Sequence, residues 1–394
     1  MAIEKQQLGT QDNPDINVGG NAIEVFPEPT RQDQIREAAE ILVTEEEILV
    51  GDEIDAEEPQ AEQAAFDANL VDFVDESELK SLSGDILSSI RHDKESRSEW
   101  EKTYIEGLKY LGMKFDEARS EPFEGSSGVI HPILAEAVTQ FQAQAYKEML
   151  PAKGPVKTQL VGQRTAETEA QADRVQEFMN FYIMNVMQDY DPELDMLLFY
   201  LPLAGSAFKK IYYDNVLNRA VSKFVSPEDL IVPYEASDIS SAERVTHAIS
   251  MSRNEIKKQQ LSGFYADVEI KSESYDPDDD EVQKEIDEIE GLSPSYAEDR
   301  DHTVYEVHTI LDLAGFEDMD QDGNPTGLKL PYIVTIDESS QTVLSIRRNF
   351  VEGDPYKNKI NYFVQYKFLP GLGFYGLGLS HMIGGISKAS TSIL

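Results

Sequence analysis

The stretch that decides the fold is residues 191–214, which read DPELDMLLFYLPLAGSAFKKIYYD. Positions 196–203 are apolar almost all round, a composition typical of a helix buried inside a folded body. Asp191 is a candidate N-cap, and Pro192 suits the first turn of a helix. From Phe208 the composition becomes strand-like. We therefore expect a buried helix that leads directly into a β-strand.

Strand-like segments follow this helix along the chain. Residues 208–213 and 220–225 are separated by a short polar turn and predict a β-hairpin. Further strand-like runs across 303–368 predict an antiparallel meander, whose last strand we place at 361–368, as a small β unit distinct from the helical part. The glycine-rich segment 371–378 then leads into the start of another helix.

Four helical patterns precede the stretch 191–214, and another follows it. Apolar residues recur every three or four positions across 77–111 and predict two amphipathic helices. A third helix is predicted over 132–150 and a fourth over 166–188. In the fourth helix five regularly spaced apolar residues share one face, namely Ala172, Val175, Met179, Tyr182 and Val186. Ser252 and Glu255 have the spacing of a capping box, which predicts that a further helix begins there.

Together these patterns predict an α+β protein that is mostly helical and carries an antiparallel β subdomain. We divide the chain into five segments. They are an acidic N-terminal arm expected to be disordered (1–76), a helical body with the β-hairpin (77–264), an acidic flexible insert (265–302), the β subdomain (303–368), and a glycine-rich junction with the start of a helix (369–394).

Charge and cysteine content exclude several classes of protein. The chain has 74 acidic and 34 basic residues and a formal net charge of -40, which argues against a protein that coats nucleic acid through a basic face. Most of this charge is local, because residues 1–79 carry a net -19 and residues 267–301 a net -12. With no cysteine there is no disulfide, no thiolate metal site and no cysteine nucleophile.

Targeting signals for secretion or for a membrane are not found in the sequence. The N-terminus lacks the basic and then apolar pattern of a signal peptide, so we expect a cytoplasmic protein. Residues 368–387 form an uncharged stretch of 20 residues, but Pro370, His381 and six glycines make a membrane span a poor interpretation.

Two motifs resemble ligand sites. Asp318, Asp320, Asp322 and Gly323 match the first half of a calcium loop, but Lys329 stands where a bidentate Glu is needed, so we interpret the segment as a hairpin turn. Residues 371–376 match a dinucleotide fingerprint, yet no acidic residue follows to bind a ribose. We interpret that segment as a flexible strand-to-helix junction.

No residue is therefore assigned a catalytic, cofactor-binding or metal-binding role, and we expect a protein that is not an enzyme and has no cofactor. Basic pairs are the candidate contact residues, and Lys257-Lys258 on a predicted helix is one of them. Lys209 and Lys210, like Arg347 and Arg348, could bind phosphate or an acidic neighbouring subunit. Ordinary salt bridges at the surface or between subunits are the alternative.

Five segments carry a resemblance to a known family. They are QADRVQEFMNFYIMNVM (171–187), the stretch 191–214, VSPEDLIVPYEASDISSAERVTHAISMSRNEI (225–256), VTIDESSQTVLSIRRNF (334–350) and FLPGLGFYGLGLSHMIGGISKASTSIL (368–394). In this order they resemble the portal proteins of short-tailed double-stranded DNA bacteriophages, the type with a large wing. The resemblance covers roughly residues 77–394 and leaves the acidic arm outside it.

The resemblance implies a function that composition and spacing do not show. Portal proteins form a ring of twelve copies at one capsid vertex, through which double-stranded DNA is packaged and ejected. The implied partners are other copies of the chain, the major capsid and scaffolding proteins, the large subunit of terminase, and tail adaptor proteins, with no membrane. The protein would be assembled in the cytoplasm of the bacterial host and reside in the virion. Segments 77–264 and 303–368 would form the wing.

One departure from the family concerns length. Portal proteins continue beyond the glycine-rich junction into a stem, a clip, a tunnel segment and a crown, whereas this sequence ends at Leu394. We therefore expect an N-terminal portion of a portal protein, unable by itself to close a ring or bind the motor.

Two other classes of function remain open. A different virion structural or scaffolding protein would explain the acid-rich arm, although scaffolds are typically more helical. A nucleotide-dependent enzyme would need the glycine-rich segment to bind phosphate, and a nucleotide-dependent rise in melting temperature would favour it.

Overall fold

The fold is known from a computed structural model that describes most of the chain after position 63. The described residues are 64–111, 130–215, 217–270, 286, 289, 302–320 and 324–393. They all belong to one compact unit of the chain, Pro59–Leu394. The expected disorder of the arm falls mainly on residues outside this description.

Seven α-helices have both ends among the described residues. In chain order they are α1 (Glu76–Ser96), α2 (Ser98–Lys109), α3 (Ile133–Met149), α4 (Ala166–Phe181), α5 (Tyr190–Ala204), α6 (Arg253–Leu261) and α7 (Leu379–Ile393). A π-helical turn, Tyr182–Val186, extends α4. The four helices predicted between 77 and 188 are confirmed as α1 to α4. The predicted capping box is confirmed as well, since the Ser252 hydroxyl accepts from the Glu255 N–H and the Glu255 carboxylate accepts from the Ser252 N–H.

Eight strands form two antiparallel sheets in this part of the chain. The strands are β1 (Ser206–Asp214), β2 (Arg219–Val225), β3 (Leu230–Ile231), β4 (Val245–Met251), β5 (His302–Leu311), β6 (Leu330–Asp337), β7 (Thr342–Arg348) and β8 (Phe363–Lys367). One sheet has the order β2-β1-β8 and the other the order β3-β4-β5-β6-β7. The β1–β2 hairpin is as predicted. The α+β class is confirmed.

The expected meander across 303–368 is correct for β5, β6 and β7, which pair in order, but it is wrong for its last strand, and it is not separate from the preceding segment. Strand β5 pairs with β4, which belongs to the segment assigned to the helical body. Strand β8 leaves the meander and pairs with β1 in the other sheet. The physical reason is that the outer edge of β7 is already covered, because the Ile346 N–H donates to Asn69 Oδ1 and the Ala266 N–H donates to the Leu344 carbonyl.

Those same contacts move two predicted boundaries. Leu70 and Val71, placed in the disordered arm, are buried against the five-stranded sheet, where Leu70 has no exposed surface. Tyr265 and Ile270, placed in the flexible insert, are buried in a small cluster with residues of β5 and β7. The folded body therefore begins before residue 77 and continues past residue 264.

The buried helix predicted in the first part of the stretch 191–214 is α5, with two corrections. It begins at Tyr190, so Asp191 lies in its first turn and Asp189 occupies the N-cap position. Leu194, Leu197 and Leu198 are buried, but Met196 is 43% exposed, so the helix is not enclosed all round. Its C-terminal end packs into the main apolar core, which lies between helices α2, α3 and α5 and strand β1.

Candidate functional site

The first basic pair lies on β1, with its two side chains on opposite faces of the strand. Lys209 is 3% exposed, its Nζ lies 4.5 Å from the centre of the Tyr190 ring, and that Nζ has no hydrogen-bond partner among the described residues. Burial lowers the pKa of Lys209. Lys210 forms an ion pair with Glu306 at 2.6 Å. Lys209 is thus closed off from any external phosphate, and the charge of Lys210 is matched within the chain.

The second basic pair lies on β7 and binds main-chain carbonyls. Arg347 donates to the carbonyls of Asp67 and Phe264, at 2.7 and 3.1 Å. Arg348 donates to the carbonyls of Ala65 and Phe66. These bonds hold residues 65–67 against the five-stranded sheet. The structure does not bring the two basic pairs together, so they form no shared basic surface.

Lys210 belongs to a polar cluster between the two sheets. Glu306 on β5 accepts from Lys210 with both carboxylate oxygens and also contacts His308 Nε2 at 2.8 Å. His247 on β4 is the strand partner of Glu306. The Phe363 ring of β8 lies beside both histidines, 5.7 Å from His247 and 5.2 Å from His308 between ring centres. A charged contact therefore joins the sheets at a point surrounded by aromatic rings.

The electrostatics of this cluster keep Glu306 ionised and His247 neutral. Burial alone would raise the pKa of Glu306, but the hydrogen bond with His308 and the charge of Lys210 outweigh it and lower that pKa well below its ordinary value. Burial and the charge of Lys210 lower the pKa of His247 to about 3. The Nδ1 atom of His247 is enclosed and has no hydrogen-bond partner among the described residues.

The pocket beside this cluster is small and shallow. It is lined by His308, Asn349, Lys359, Tyr362 and Phe363, among others, and its empty space of about 250 Å³ includes open solvent. Lys359 already donates to two main-chain carbonyls, those of Ile239 and Ala242. Among the described residues no group of three or more His, Asp or Glu side chains is placed to hold a metal ion.

The glycine-rich junction, interpreted from the sequence as a flexible strand-to-helix junction, is closely packed in the structure. A Cβ on Gly376 would lie 2.3 Å from the Gly205 carbonyl oxygen, and one on Gly378 would lie 2.5 Å from the Gly205 nitrogen. The Gly376 N–H donates to Ser206 Oγ, and Trp100 Nε1 donates to the Gly376 carbonyl. The glycines admit neighbouring protein backbone, which fills the space that a pyrophosphate would need.

Arg97 holds this junction in place through buried hydrogen bonds. This role was not identified in the sequence. Arg97 is 2% exposed and donates to the Tyr375 hydroxyl at 3.0 Å and to the carbonyls of Pro227 and Leu230. Trp100 stacks on the Tyr375 ring at 4.6 Å. Because these partners lie about 130 and 280 positions away in sequence, local patterns carry no signal for this role of Arg97.

The segment resembling a calcium loop is described only at its two ends, because residues 321–323 lie outside the described residues, and these ends pair as the predicted hairpin requires. Met319 and Pro325 form an antiparallel bridge, and the Thr326 N–H donates to the Asp318 carbonyl. The Asp318 carboxylate is held by the Lys357 ammonium and by the Thr326 hydroxyl. This first carboxylate of the motif is therefore already neutralised within the chain.

Helix α4 presents the most unusual surface among the described residues. No residue of α4 is buried. The side that contacts the rest of the chain is polar, because Gln176 accepts from the Thr158 N–H and the Asn180 amide makes two bonds with the Val156 main chain.

The rest of the surface of α4 and its π-helical turn exposes an apolar patch, which the exposed residues Arg174 and Glu177 interrupt. We call this patch the α4 face. Its residues and their exposed fractions are Val175 (44%), Phe178 (63%), Met179 (44%), Phe181 (57%) and Met184 (42%). The sequence predicted that Val175 and Met179 share one side of a helix, but the pattern carries no information on whether that side is covered. The α4 face is the best candidate for a functional surface, since contiguous exposed apolar surface marks sites of interaction.

Comparison with known proteins adds no family to this description. No model of a known protein family matches the chain, and no curated protein matches it. Within the described ranges, no helix is both long and apolar enough to cross a membrane.

Proposed function

We propose that this chain is a subunit of a bacteriophage portal, the ring at one capsid vertex through which double-stranded DNA is packaged and ejected. The order of the segments between 171 and 394, which resembles that of large-wing portal proteins, is the source of the proposal. The α+β fold with two antiparallel sheets is compatible with a wing.

The α4 face is the observation that carries the proposal. A helix that turns its amide side chains towards its own chain and its apolar side chains towards water is stabilised when another protein surface covers the apolar side. A ring subunit has such a surface available, since each copy lies between two neighbours.

The placement of charge also supports a conduit for DNA. A channel that holds phosphate tightly would slow translocation, because each contact with phosphate releases counterions and adds affinity. The four basic side chains of β1 and β7 are bound within the chain, by Glu306, by main-chain carbonyls or under the Tyr190 ring. The net charge of -40 points the same way.

The partners follow from the same proposal. Other copies of the chain would form the ring, and the major capsid and scaffolding proteins would surround it during assembly. The large subunit of terminase and the tail adaptor proteins would dock on it in turn. The protein would be assembled in the host cytoplasm and remain at the portal vertex of the virion, with no catalytic step of its own.

Copy number in the mature virion tests this function. Purified virions of the phage that encodes the chain are digested, and its amount is measured by quantitative mass spectrometry against the major capsid protein. A portal predicts about twelve copies per particle, as expected of a closed ring of one chain. A scaffolding protein would be absent from mature virions, and another structural protein would be present in a number set by the capsid lattice or the tail.

Location provides the second measurement. An antibody against an N-terminal tag should label one vertex of each particle in electron microscopy. Label on every vertex, or along the tail, would contradict the portal function.

A further inference from the structure

Helix α7 also places polar side chains against the rest of the chain. Its inward side combines small hydroxyl residues with Leu379 and Ile383, which pack against the main core. Ser380 is 4% exposed and donates to the Leu203 carbonyl, while Ser387 is fully buried. The fit is close, since a Cβ on Gly107 of helix α2 would lie 2.2 Å from Ser380 Oγ. Thr391 Oγ1 accepts from the His131 N–H next to α3.

The outward side of α7 carries exposed apolar residues. Met382, Ile386 and Ile393 are 52%, 59% and 86% exposed, and Ala389 between them is exposed too. Their spacing of four, three and four positions puts them in one row along the helix. We call this row the α7 stripe.

The two surfaces are complementary in charge and in length. Helix α4 has four acidic residues and one basic residue, whereas α7 has Lys388 and no acidic residue. From Val175 to Met184 the α4 face is about 14 Å long, and from Met382 to Ile393 the α7 stripe is about 16 Å long, at 1.5 Å per residue.

We propose that the α4 face of one copy of this chain docks on the α7 stripe of a second copy. This inference rests on the proposed function and names the surfaces that join neighbouring subunits. Two different patches that bind each other generate a head-to-tail contact, which closes into a ring when the rotation between copies permits. One such contact covers both apolar surfaces at once.

The apolar area of the two surfaces limits the strength of the contact. Five side chains exposed by about half offer roughly 400 Å² on the α4 face, given the 150–250 Å² that an aromatic side chain can bury. A standard interface takes about 800 Å² from each partner. The helix pair is therefore the centre of a larger contact, and an isolated pair of copies should associate weakly.

The chain contains no cysteine, so introduced cysteines report this contact cleanly. Two full-length single-cysteine chains with different tags are prepared, F178C and I386C. They are mixed under mild oxidation, and disulfide-linked products are identified by mass spectrometry of the linked peptides. A control pair, F178C and Y356C, keeps the first cysteine and places the second at a side chain that is 80% exposed and lies outside both helices.

The mixture of F178C and I386C should give a covalent product between the two tags at about ten times the yield of the control pair, because disulfides form only when the Cβ atoms approach to about 4 Å. Each single-cysteine chain alone should give little homodimer. Both positions are more than half exposed, so unchanged thermal melts of the variants would show that folding is not disturbed.

Other results overturn the contact. Homodimers of F178C at the same yield would mean that the α4 face pairs with itself. No 178–386 product, whether the chain associates by light scattering or stays monomeric, would exclude the α7 stripe as the partner surface. The portal function is judged separately by copy number in virions. A 178–386 product from a chain absent from mature virions would support the contact and refute the portal function.

Discussion

Strand β6 and helix α4 are both regular elements with apolar residues at the expected period, yet they differ completely in burial. Val334 and Ile336 of β6 have no exposed surface, because β5 and β7 pair with both edges of the strand and apolar clusters cover its side chains. Helix α4 buries none of its residues. The period of a sequence determines which residues share a face. Only the neighbouring elements determine whether that face is covered.

The largest effect should come from the same substitution made in both elements. Val334→Asp places an unpaired carboxylate in the core and should lower the free energy of unfolding by at least about 4 kcal/mol. Val175→Asp introduces a charge at a position that is 44% exposed, and it should change the free energy of unfolding by less than about 0.5 kcal/mol. Urea denaturation followed by circular dichroism measures both values.

The control for this pair is the self-association of the chain. The free energy of unfolding is measured at a concentration where light scattering shows monomers, so that lost contacts between copies do not enter. If Val175→Asp destabilises the monomer as strongly as Val334→Asp, the α4 face is covered within the chain and the comparison is wrong.

The sequence predicted what depends on near neighbours. The β1–β2 hairpin, the helices before position 188 and the Ser252 capping box are all set by residues a few positions apart. Strand β8 was misplaced because its choice between β7 and β1 depends on Asn69 and Ala266, which cover the edge of β7 from distant parts of the chain.

The candidate site shows the same limit more strongly. Lys210 was singled out as a basic residue, but its partner Glu306 lies 96 positions away. The glycines at 371–378 suggested a phosphate, and the group they approach is the Gly205 backbone. For α4 the predicted face shares only Val175 and Met179 with the α4 face, and the pattern carried no information on exposure. In each case the residue type pointed to a contact, but the sequence did not show which group the residue contacts.

The Lys210–Glu306 pair is a buried polar contact, whereas the α4 face is an exposed apolar surface. Substitutions in this pair measure what coverage contributes to a polar contact. Both side chains are less than one-fifth exposed. Glu306→Gln leaves the Lys210 charge without its partner and should cost about 3 kcal/mol of unfolding free energy. Lys210→Met combined with Glu306→Gln should cost less than the sum of the two single changes, which a double-mutant cycle measures.

An exposed ion pair serves as the control for that cycle. Lys102 and Glu99 form a salt bridge at 2.8 Å with both side chains mostly in solvent. Glu99→Gln should leave the unfolding midpoint unchanged. Additive effects at Lys210 and Glu306 would show that the two sheets are not joined through this pair.

Acid should weaken the covered cluster and leave the α4 face unaffected. His247 stays neutral in the folded chain down to a pKa of about 3, whereas in the unfolded chain it takes up a proton below about 6.5. The unfolded state therefore binds more protons in this window, and stability falls as the pH falls. The slope should reach about 1.4 kcal/mol per pH unit for this single proton.

Glu306 adds to the same trend at lower pH, since its pKa is also lowered by folding and its stabilisation is lost as the pH falls below about 4.5. His247→Phe should flatten the slope between pH 6 and pH 4.5, where Glu306 contributes little. Urea midpoints across this range measure it. An unchanged slope in His247→Phe would assign the acid sensitivity to other groups.

The smallest effect, and the sharpest test of the comparison, concerns Lys209. Its position on β1 puts the side chain on a covered face beside Tyr190. The neighbouring elements therefore bury a charged side chain here, just as the lack of neighbours leaves apolar side chains of α4 exposed. Glu193 and Asp189 favour the charged form, but burial opposes it more strongly and lowers the pKa. The ring contact recovers only part of this cost.

Lys209→Met keeps the length of the side chain and removes the charge, so we expect it to raise the free energy of unfolding by about 1 kcal/mol at pH 7. Lys223→Met on the neighbouring strand, an exposed position, should leave stability unchanged and serves as the control. Urea denaturation measures both. A loss of stability in Lys209→Met would mean that the contact with Tyr190 outweighs desolvation. A gain of stability would show that the neighbouring elements bury position 209 even though a charged side chain disfavours burial.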